Sequence, residues 1–405
     1  MPSGSAFLLA ARQCEIAELE QLARTGELVG VIGRMVHGVQ RERGISNVFL
    51  SSQGKRFASQ RLRQVEECGR LEDEVRAQFG RFDTDATRAR NGARLFSRVA
   101  EVLHGLDGLP ALRARIARLE LSPRDATAAY SRLVSGLLAV VFEAADSASD
   151  PQVSRALVAM FNFMQGKEFA GRERAFGAGA FAAGTIDAAG QQQWRHLVES
   201  QEACFQLFAD FSGSDVRYAD RANHDPLVVA EVERLRRMAC DGRPGALDTD
   251  LSPVWYGCMT RRIDAMRDVE DLLAGRLRRL CEARIAQARE ELRDQQRLLQ
   301  ALGDDGSAAG EGAAYGPHLE RSLLGMLQEQ SRRLQAMGDE LQAVRASLTE
   351  RKVVERAKGL LMVHRQMSEA EAYKALRQMA MNQNRRLVDV AEAVLALADV
   401  LPGVR

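Results

Sequence analysis

Three arginines stand on helical faces that are otherwise mostly apolar, where a cation requires a partner. In the stretch "GVQRERGISNVFL", Arg43 shares a face with Val36, Val39 and Leu50, because residues three, four and seven apart lie on one side of a helix. Arg41 is two positions away and points elsewhere. An arginine does not lose its proton, so Arg43 must meet a carboxylate, a carbonyl or a bound anion, or extend its head group to water.

Two further segments repeat this arrangement around Arg174 and Arg236. The residues that share their faces are Met160, Met164, Lys167, Gly171, Ala178 and Phe181 around Arg174, and Val229, Val232 and Cys240 around Arg236. Gly171 leaves space one turn before Arg174, and Arg237 turns away from the face of Arg236. Three inward arginines can enclose one small anion. If the helical phase is shifted by two residues, Arg41 and Arg172 are the alternatives.

The elements that position these arginines are expected to be helices throughout, so the predicted fold class is all-α. The chain of 405 residues has nine prolines, 5% aromatic residues and 46% hydrophobic residues, with long segments rich in Ala, Leu, Arg, Glu and Gln. No convincing strand is found. Ser or Asp stands before a proline at "LSPRDAT" and "SASDPQ", which predicts capped helix starts at both places.

A composition shift divides the chain near its last quarter. Residues 302–317, "LGDDGSAAGEGAAYGP", are rich in Gly and Ala without apolar periodicity, which predicts a flexible linker. Beyond it, apolar residues repeat every seven positions, namely Leu327, Leu334, Leu341 and Leu348, with Met337 and Val344 between them. This edge is either a coiled-coil connector that forms a homodimer seam or a helix that packs back on the first domain.

The last 56 residues suit a small three-helix bundle that carries excess positive charge. Ser368 and Glu371 predict a capping box at the start of its second helix, and ten Lys or Arg stand against seven acidic residues from Glu350 onward. One aromatic, Tyr373, lies among the cations Lys374, Arg377, Arg385 and Arg386. Such a mixture is used to stack single-stranded RNA bases and contact phosphates, although a solvated helix face with one half-buried tyrosine has the same composition.

The stretch "ERAKGLLM…MSEAEAYKALRQMAMNQNRRLVDVAEAVL" resembles the ANTAR domain, the RNA-binding module of transcription antiterminators. The resemblance implies binding to paired hairpin loops in leader RNA, which prevents terminator formation. It places RNA contacts at Lys358, Tyr373, Arg377 and Arg386. Some ANTAR proteins are controlled by a phosphorylated receiver domain, but the strand-helix alternation of a receiver is not found here.

The segments "QRERGISNVFL" and "FMQGKEFAGRERAFGAGAFAAG" resemble the NIT domain, a helical sensor of nitrate and nitrite. Arginines of these motifs bind nitrate in that family, and guanidinium groups match the three acceptor oxygens of this planar anion. The resemblance implies that Arg43, Arg174 and Arg236 are the ligand-binding residues. Mutual repulsion of the three cations in the absence of anion is expected to hold the sensor in a closed arrangement.

The expected organisation is a sensor domain over residues 1–300, a linker over 301–317, a connector helix over 318–349 and an RNA-binding domain over 350–405. The order resembles that of nitrate-responsive antiterminators. The expected partners are nitrate or nitrite, leader RNA with paired hairpins and, indirectly, the transcription complex; no cofactor or metal is expected.

Other classes of protein are less consistent with the residues. The motifs H-E-x-x-H, G-x-S-x-G and a Walker phosphate loop are missing, which argues against an enzyme. A helical scaffold or dimerisation protein without a ligand is the alternative. Six scattered cysteines, a formal net charge of +1 and the lack of a continuous apolar run near 18 residues favour a cytoplasmic protein that is not inserted in a membrane.

Overall fold

The computed structural model describes residues 4–81, 93–214, 225–307, 317–367 and 369–400, and these ranges are almost entirely helical. The helices are α1 (Gly4–Ser51), α2 (Ala58–Phe79), α3 (Ala93–Asp107), α4 (Leu109–Ala117), α5 (Pro123–Ser147), α6 (Pro151–Ala183), α7 (Ala188–Phe211), α8 (Pro226–Cys240), α9 (Leu251–Ser307), α10 (Pro317–Arg365), α11 (Glu369–Gln383) and α12 (Leu387–Val400). The all-α class expected from the sequence is confirmed.

The chain forms two compact units, and several helices contribute to both. The first comprises Met1–Met164, Leu207–Arg221 and Met266–Leu341, and the second comprises Gln165–Gln206, Ala222–Ala265 and Gln342–Arg405. The units therefore do not coincide with the consecutive domains expected from the sequence, because α6, α7, α9 and α10 each supply residues to both.

The core of the first unit lies between α1 and its neighbours. Helix α1 packs against α2 and α5, and α3 also packs against α5. Val29, Ile32 and Val36 of α1 are fully buried, as an apolar stripe of helical period requires. Helix α5 is the one described helix long and apolar enough to cross a membrane, but Leu137 and Val141 at its centre are fully buried among these helices, as in an ordinary core.

In the second unit, the glycine-rich end of α6 lies against tryptophans. A Cβ atom at Gly177 would come within 2.7 Å of Trp194 and still closer to Trp255, and the two indole rings meet edge to face with centroids 4.9 Å apart. The backbone of α6 can approach these rings because glycine has no side chain. Gly177 of "FGAGAFAAG" therefore serves close packing.

Several predicted helix starts are confirmed by their caps. The Ser122 hydroxyl accepts a hydrogen bond from the Asp125 N–H at the start of α5, and the Asp150 carboxylate accepts from the N–H groups of Gln152 and Val153 at the start of α6. These bonds satisfy backbone donors that a helix start leaves open. The capping box expected at Ser368 involves a residue outside the described ranges.

The expectation that the chain contains no strand is wrong at one small place. Strand β1 (Thr185–Ile186) pairs antiparallel with β2 (Gly245–Ala246). Gly184, with a φ of +70°, ends α6 in a left-handed conformation, and the extended residues that follow meet the loop before α9. A two-residue ladder has no alternating apolar pattern, so the sequence carries no signal for it.

The boundaries expected around the linker also differ from the helices. Helix α9 continues to Ser307, so residues 302–307 are helical, and residues 308–316 lie outside the described ranges. Helix α10 runs without a break from Pro317 to Arg365, so the connector and the first helix of the predicted RNA-binding domain are one element. Of the heptad residues, Val344 and Leu348 are buried within this chain while Leu334 is exposed.

Candidate anion and RNA sites

Arg43 faces the interior of the first unit. It is 4% exposed, and its Nη1 donates a hydrogen bond to the Ser131 hydroxyl at 2.8 Å. Arg41 is half-exposed and lies 3.8 Å from a Glu67 carboxylate oxygen. The helical phase inferred from the sequence is confirmed at this position, and Arg41 is on the outside.

Beside Arg43 in sequence, Glu42 takes part in a buried network that sequence reasoning missed. Glu42 is fully buried and accepts hydrogen bonds from Nε and Nη2 of Arg113 and from the Tyr130 hydroxyl, all at 2.8 Å. Burial and the nearby Glu42 charge raise the pKa of Tyr130. The partners come from α4 and α5, far away in sequence, so helical periodicity alone gave no sign of them.

Arg174 faces the interior of the second unit. It is 7% exposed, its Nη1 donates to the Thr260 hydroxyl at 3.0 Å, and its guanidinium lies 5.0 Å from the centre of the Tyr256 ring. Both partners are on α9. The inward phase is again confirmed, and a hydroxyl acceptor and an aromatic face lie beside this cation.

Arg236 is inward as well, but carboxylates surround it. Its Nε and Nη2 donate to the two Glu173 oxygens at 2.7 and 2.6 Å, and its Nη1 donates to Glu233 at 2.6 Å. Glu173 also accepts from Trp194 and Gln201. Burial on its own raises the pKa of Glu173, but the hydrogen bonds and charge of Arg236 bring that pKa below its usual value.

This ion pair corrects the picture of three mutually repelling cations. A bidentate carboxylate compensates the charge of Arg236 in the second unit. The expected repulsion is therefore wrong for Arg236. Arg43 lies in the first unit and Arg174 in the second.

The ANTAR-like segment has a hydrophobic core of its own. Its buried residues are Ala357 and Leu361 of α10, Ala372, Leu376 and Ala380 of α11, and Val390 and Ala391 of α12. Lys358 is only 5% exposed and is paired with Glu355 at 2.9 Å and Glu369 at 3.1 Å. Burial lowers the pKa of Lys358, but the two carboxylates outweigh this and raise it.

The face of α11 that carries Tyr373 and Arg377 contacts α7 of the same unit, with Tyr373 partly buried and Arg377 still half-exposed. The Tyr373 ring lies 5.2 Å from the His196 ring, centre to centre. Nη1 of Arg377 donates to a Glu199 carboxylate oxygen at 2.6 Å, and Nζ of Lys374 donates to the Gln192 amide oxygen at 2.9 Å. Arg386, by contrast, lies just before α12, where it is exposed and forms ion pairs with Glu350 and Asp389.

The α7 residues in this contact were not identified from the sequence. Gln192, His196 and Glu199 recur at four- and three-residue spacing and therefore share one face of α7, but polar residues at this spacing are common on solvated helices. With Arg195, Tyr373, Lys374 and Arg377 they line a cleft of about 200 Å³. Burial lowers the pKa of His196, which favours its neutral form against the tyrosine ring.

Comparisons with known proteins identify a family for each part of the chain. The family described as nitrate and nitrite sensing (NIT) matches residues 34–278, and the ANTAR domain family matches residues 342–395. The nitrate regulatory protein of Klebsiella oxytoca is 34% identical over 391 residues, which cover 96% of this chain and 93% of that protein.

Among solved structures, that of the NasR transcription antiterminator is similar over 97% of this chain and 98% of that chain, with 30% identity and a TM-score of 0.60. The matched families are a sensing domain and the ANTAR domain, and neither is a family of enzymes. The chain therefore belongs to the family of nitrate-responsive transcription antiterminators that combine a NIT domain with an ANTAR domain.

Proposed function

We propose that nitrate or nitrite, bound at arginines of the NIT motifs, releases the ANTAR segment from α7 so that it binds paired hairpins in leader RNA. Bound leader RNA then cannot form its terminator, and transcription continues. The proposal places the protein in the cytoplasm, where it acts on the transcription complex indirectly through the RNA. The domain limits of 1–300, 301–317, 318–349 and 350–405 are part of the proposal.

The observation that carries this proposal is the contact between α7 and α11. Tyr373 and Arg377 are the residues that the ANTAR resemblance assigns to RNA, and here they lie against His196 and Glu199. An RNA base cannot stack on a tyrosine face that a histidine occupies, and a phosphate competes with the Glu199 carboxylate for the same guanidinium. RNA binding at these side chains therefore competes with the contact to α7.

For the anion, Arg43 and Arg174 are the proposed ligands, each with a buried guanidinium and a nearby hydroxyl group. Arg236 remains a proposed ligand from the family resemblance, although its pairing with Glu173 favours a structural role. Lys358 likewise remains a proposed RNA contact, although burial and two carboxylate partners favour a role inside the ANTAR core. Arg386 is exposed and accessible to a phosphate.

The test combines anion and RNA titrations on the full chain. Calorimetric titration with nitrate and nitrite should show binding, and chloride and sulfate at the same ionic strength are the controls. In gel-shift measurements, nitrate should increase the affinity for a double-hairpin leader RNA. Equal RNA affinity with and without saturating nitrate would contradict the proposed release.

A further inference from the structure

One turn of α6 contacts four other helices of the second unit through three consecutive residues. Arg172 contacts Glu369 at the start of α11, Glu173 holds Arg236 of α8 together with α7 side chains, and Arg174 contacts Thr260 of α9. Successive helical residues point about 100° apart and rise about 1.5 Å each. A shift or rotation of this turn therefore changes all three contacts together.

The Arg172 side chain is held in a fixed orientation. Its Nε donates to Glu168, one turn earlier, at 3.0 Å, and its guanidinium lies 5.7 Å from the centre of the Phe169 ring. Glu168 itself is fully buried. Because these neighbours belong to α6, the position of the guanidinium follows the position of the α6 turn.

The Glu369 carboxylate accepts hydrogen bonds from two cations, Arg172 and Lys358. Glu369 Oε2 accepts from Nη1 of Arg172 at 3.2 Å, and Oε1 accepts from Nζ of Lys358 at 3.1 Å. Burial alone raises the pKa of Glu369, but Lys358 and then Arg172 lower it below its ordinary value. Lys358 belongs to the same ANTAR bundle as Glu369, so the bond between Lys358 and Glu369 does not depend on the sensor. The bond between Arg172 and Glu369 depends on the position of α6, which belongs to the sensor.

We propose that Arg172 is the positioning residue that couples the state of the sensor to the release of the ANTAR segment. The inference rests on the proposed function. When an anion binds at Arg174, two residues further along α6, the turn shifts and the bond between Arg172 and Glu369 breaks. A displacement of about 0.5 Å takes a hydrogen bond of 3.2 Å beyond useful length. Glu173, fixed by Arg236, acts as the pivot of this movement.

The experiment compares Arg172→Ala with wild type in the full chain. Without nitrate, the variant should bind leader RNA about 5-fold more tightly, near the upper limit for an ion pair that is partly exposed. At saturating nitrate the two proteins should bind RNA equally, since Arg172 is outside the RNA-binding surface. Nitrate affinity should rise by a similar factor, because weakening the closed state favours every ligand of the open state.

Two further variants separate coupling from folding. Arg172→Lys keeps the positive charge, but an ammonium group does not reproduce the planar donors that reach Glu168 and Glu369. The RNA and nitrate affinities should therefore change in the same direction as in Arg172→Ala, and by less. Arg234→Ala removes an exposed pair with Glu231 on α8 and should change neither affinity. Thermal melting of all three variants identifies any loss of folding.

The outcomes distinguish this inference from the function on which it rests. If wild type responds to nitrate but Arg172→Ala binds RNA as wild type does without nitrate, only the role of Arg172 is wrong. A lower nitrate affinity in the variant would make Arg172 an anion ligand and would also overturn the inference. If wild type itself does not respond to nitrate, the proposed release and this coupling both fail.

Discussion

At the scale of single residues, two buried guanidinium groups are the proposed anion ligands of the sensor. Arg43 and Arg174 are almost completely buried and each donates to a hydroxyl group. A guanidinium keeps its charge in such surroundings and offers several donors in one plane. This geometry suits a small planar anion with acceptor oxygens.

We expect Arg43→Ala to abolish nitrate binding in calorimetric titration of the full chain. Arg43→Lys should lose most of the affinity as well, because an ammonium group does not reproduce the planar fork of donors. The matched control is Arg41→Ala, which removes a half-exposed arginine two positions away and should leave nitrate affinity unchanged. Undiminished nitrate binding by Arg43→Ala would refute the assignment and direct attention to Arg41.

Arg236→Ala is expected to act mainly on stability. The substitution leaves the Glu173 carboxylate buried without its bidentate partner, which typically costs about 3–5 kcal/mol. Chemical denaturation measures this free energy of unfolding, and Arg237→Ala, an exposed neighbour on α8, should change it little. A folded Arg236→Ala protein of normal stability that had lost nitrate binding would instead support the role of Arg236 as a ligand.

The inward direction of these arginines could be predicted from the sequence, but their partners could not. Direction follows from helical period, which is a local property. Whether an inward arginine meets a hydroxyl, as Arg174 does, or a carboxylate, as Arg236 does, depends on residues 63 to 86 positions away. Glu42 shows the same limit, since its partners Arg113 and Tyr130 belong to other helices.

At the scale of elements, helix starts were more predictable than helix contacts. Ser122 and Asp150 cap α5 and α6 as expected, because a cap involves only neighbouring residues. The short ladder of β1 and β2 was missed, and so was the contact of α7 with α11. Both depend on tertiary packing, which overrides local propensity.

The α11 face should contribute base stacking, and Arg386, just before α12, should contribute phosphate contact. At saturating nitrate, Tyr373→Ala should lose about 1–3 kcal/mol of RNA binding free energy if a loop base stacks on the ring. Arg386→Ala should instead reduce the dependence of RNA affinity on salt. Gel-shift titrations at two salt concentrations measure both quantities.

Each of these variants is the control for the other. Tyr373→Ala should leave the salt dependence as in wild type, and Arg386→Ala should reduce affinity most at low salt. Saturating nitrate is needed because Tyr373 also contacts His196 in the structure. Wild-type affinity of Tyr373→Ala for a double-hairpin leader would remove this residue from the RNA-binding surface.

At the scale of the whole molecule, the proposed release is a change in population between a closed and an open arrangement. The second unit contains sensor residues of α6 to α9 together with the ANTAR segment, and α10 leads into that segment without a break. Nitrate shifts this equilibrium only if it binds the open arrangement more tightly than the closed one. A typical coupling of about 1–3 kcal/mol changes RNA affinity roughly 5- to 150-fold.

The isolated fragment from Ala313 to Arg405 should therefore bind leader RNA without nitrate, and its affinity should match that of the nitrate-saturated full chain. The bundle of α10, α11 and α12 has its own buried core, so removal of the sensor leaves that core intact. Circular dichroism of the fragment serves as the folding control. The full chain without nitrate should bind the same RNA roughly 5- to 150-fold more weakly.

A charge substitution on α7 provides the same comparison within the full chain. Glu199→Gln removes the carboxylate that accepts from Arg377 and leaves the ANTAR segment unchanged. Its nitrate-free RNA affinity should rise toward that of the fragment, by up to about 5-fold for an exposed pair. If a folded fragment bound RNA no better than the nitrate-free full chain, α7 would not mask the RNA-binding face, although both family assignments would remain.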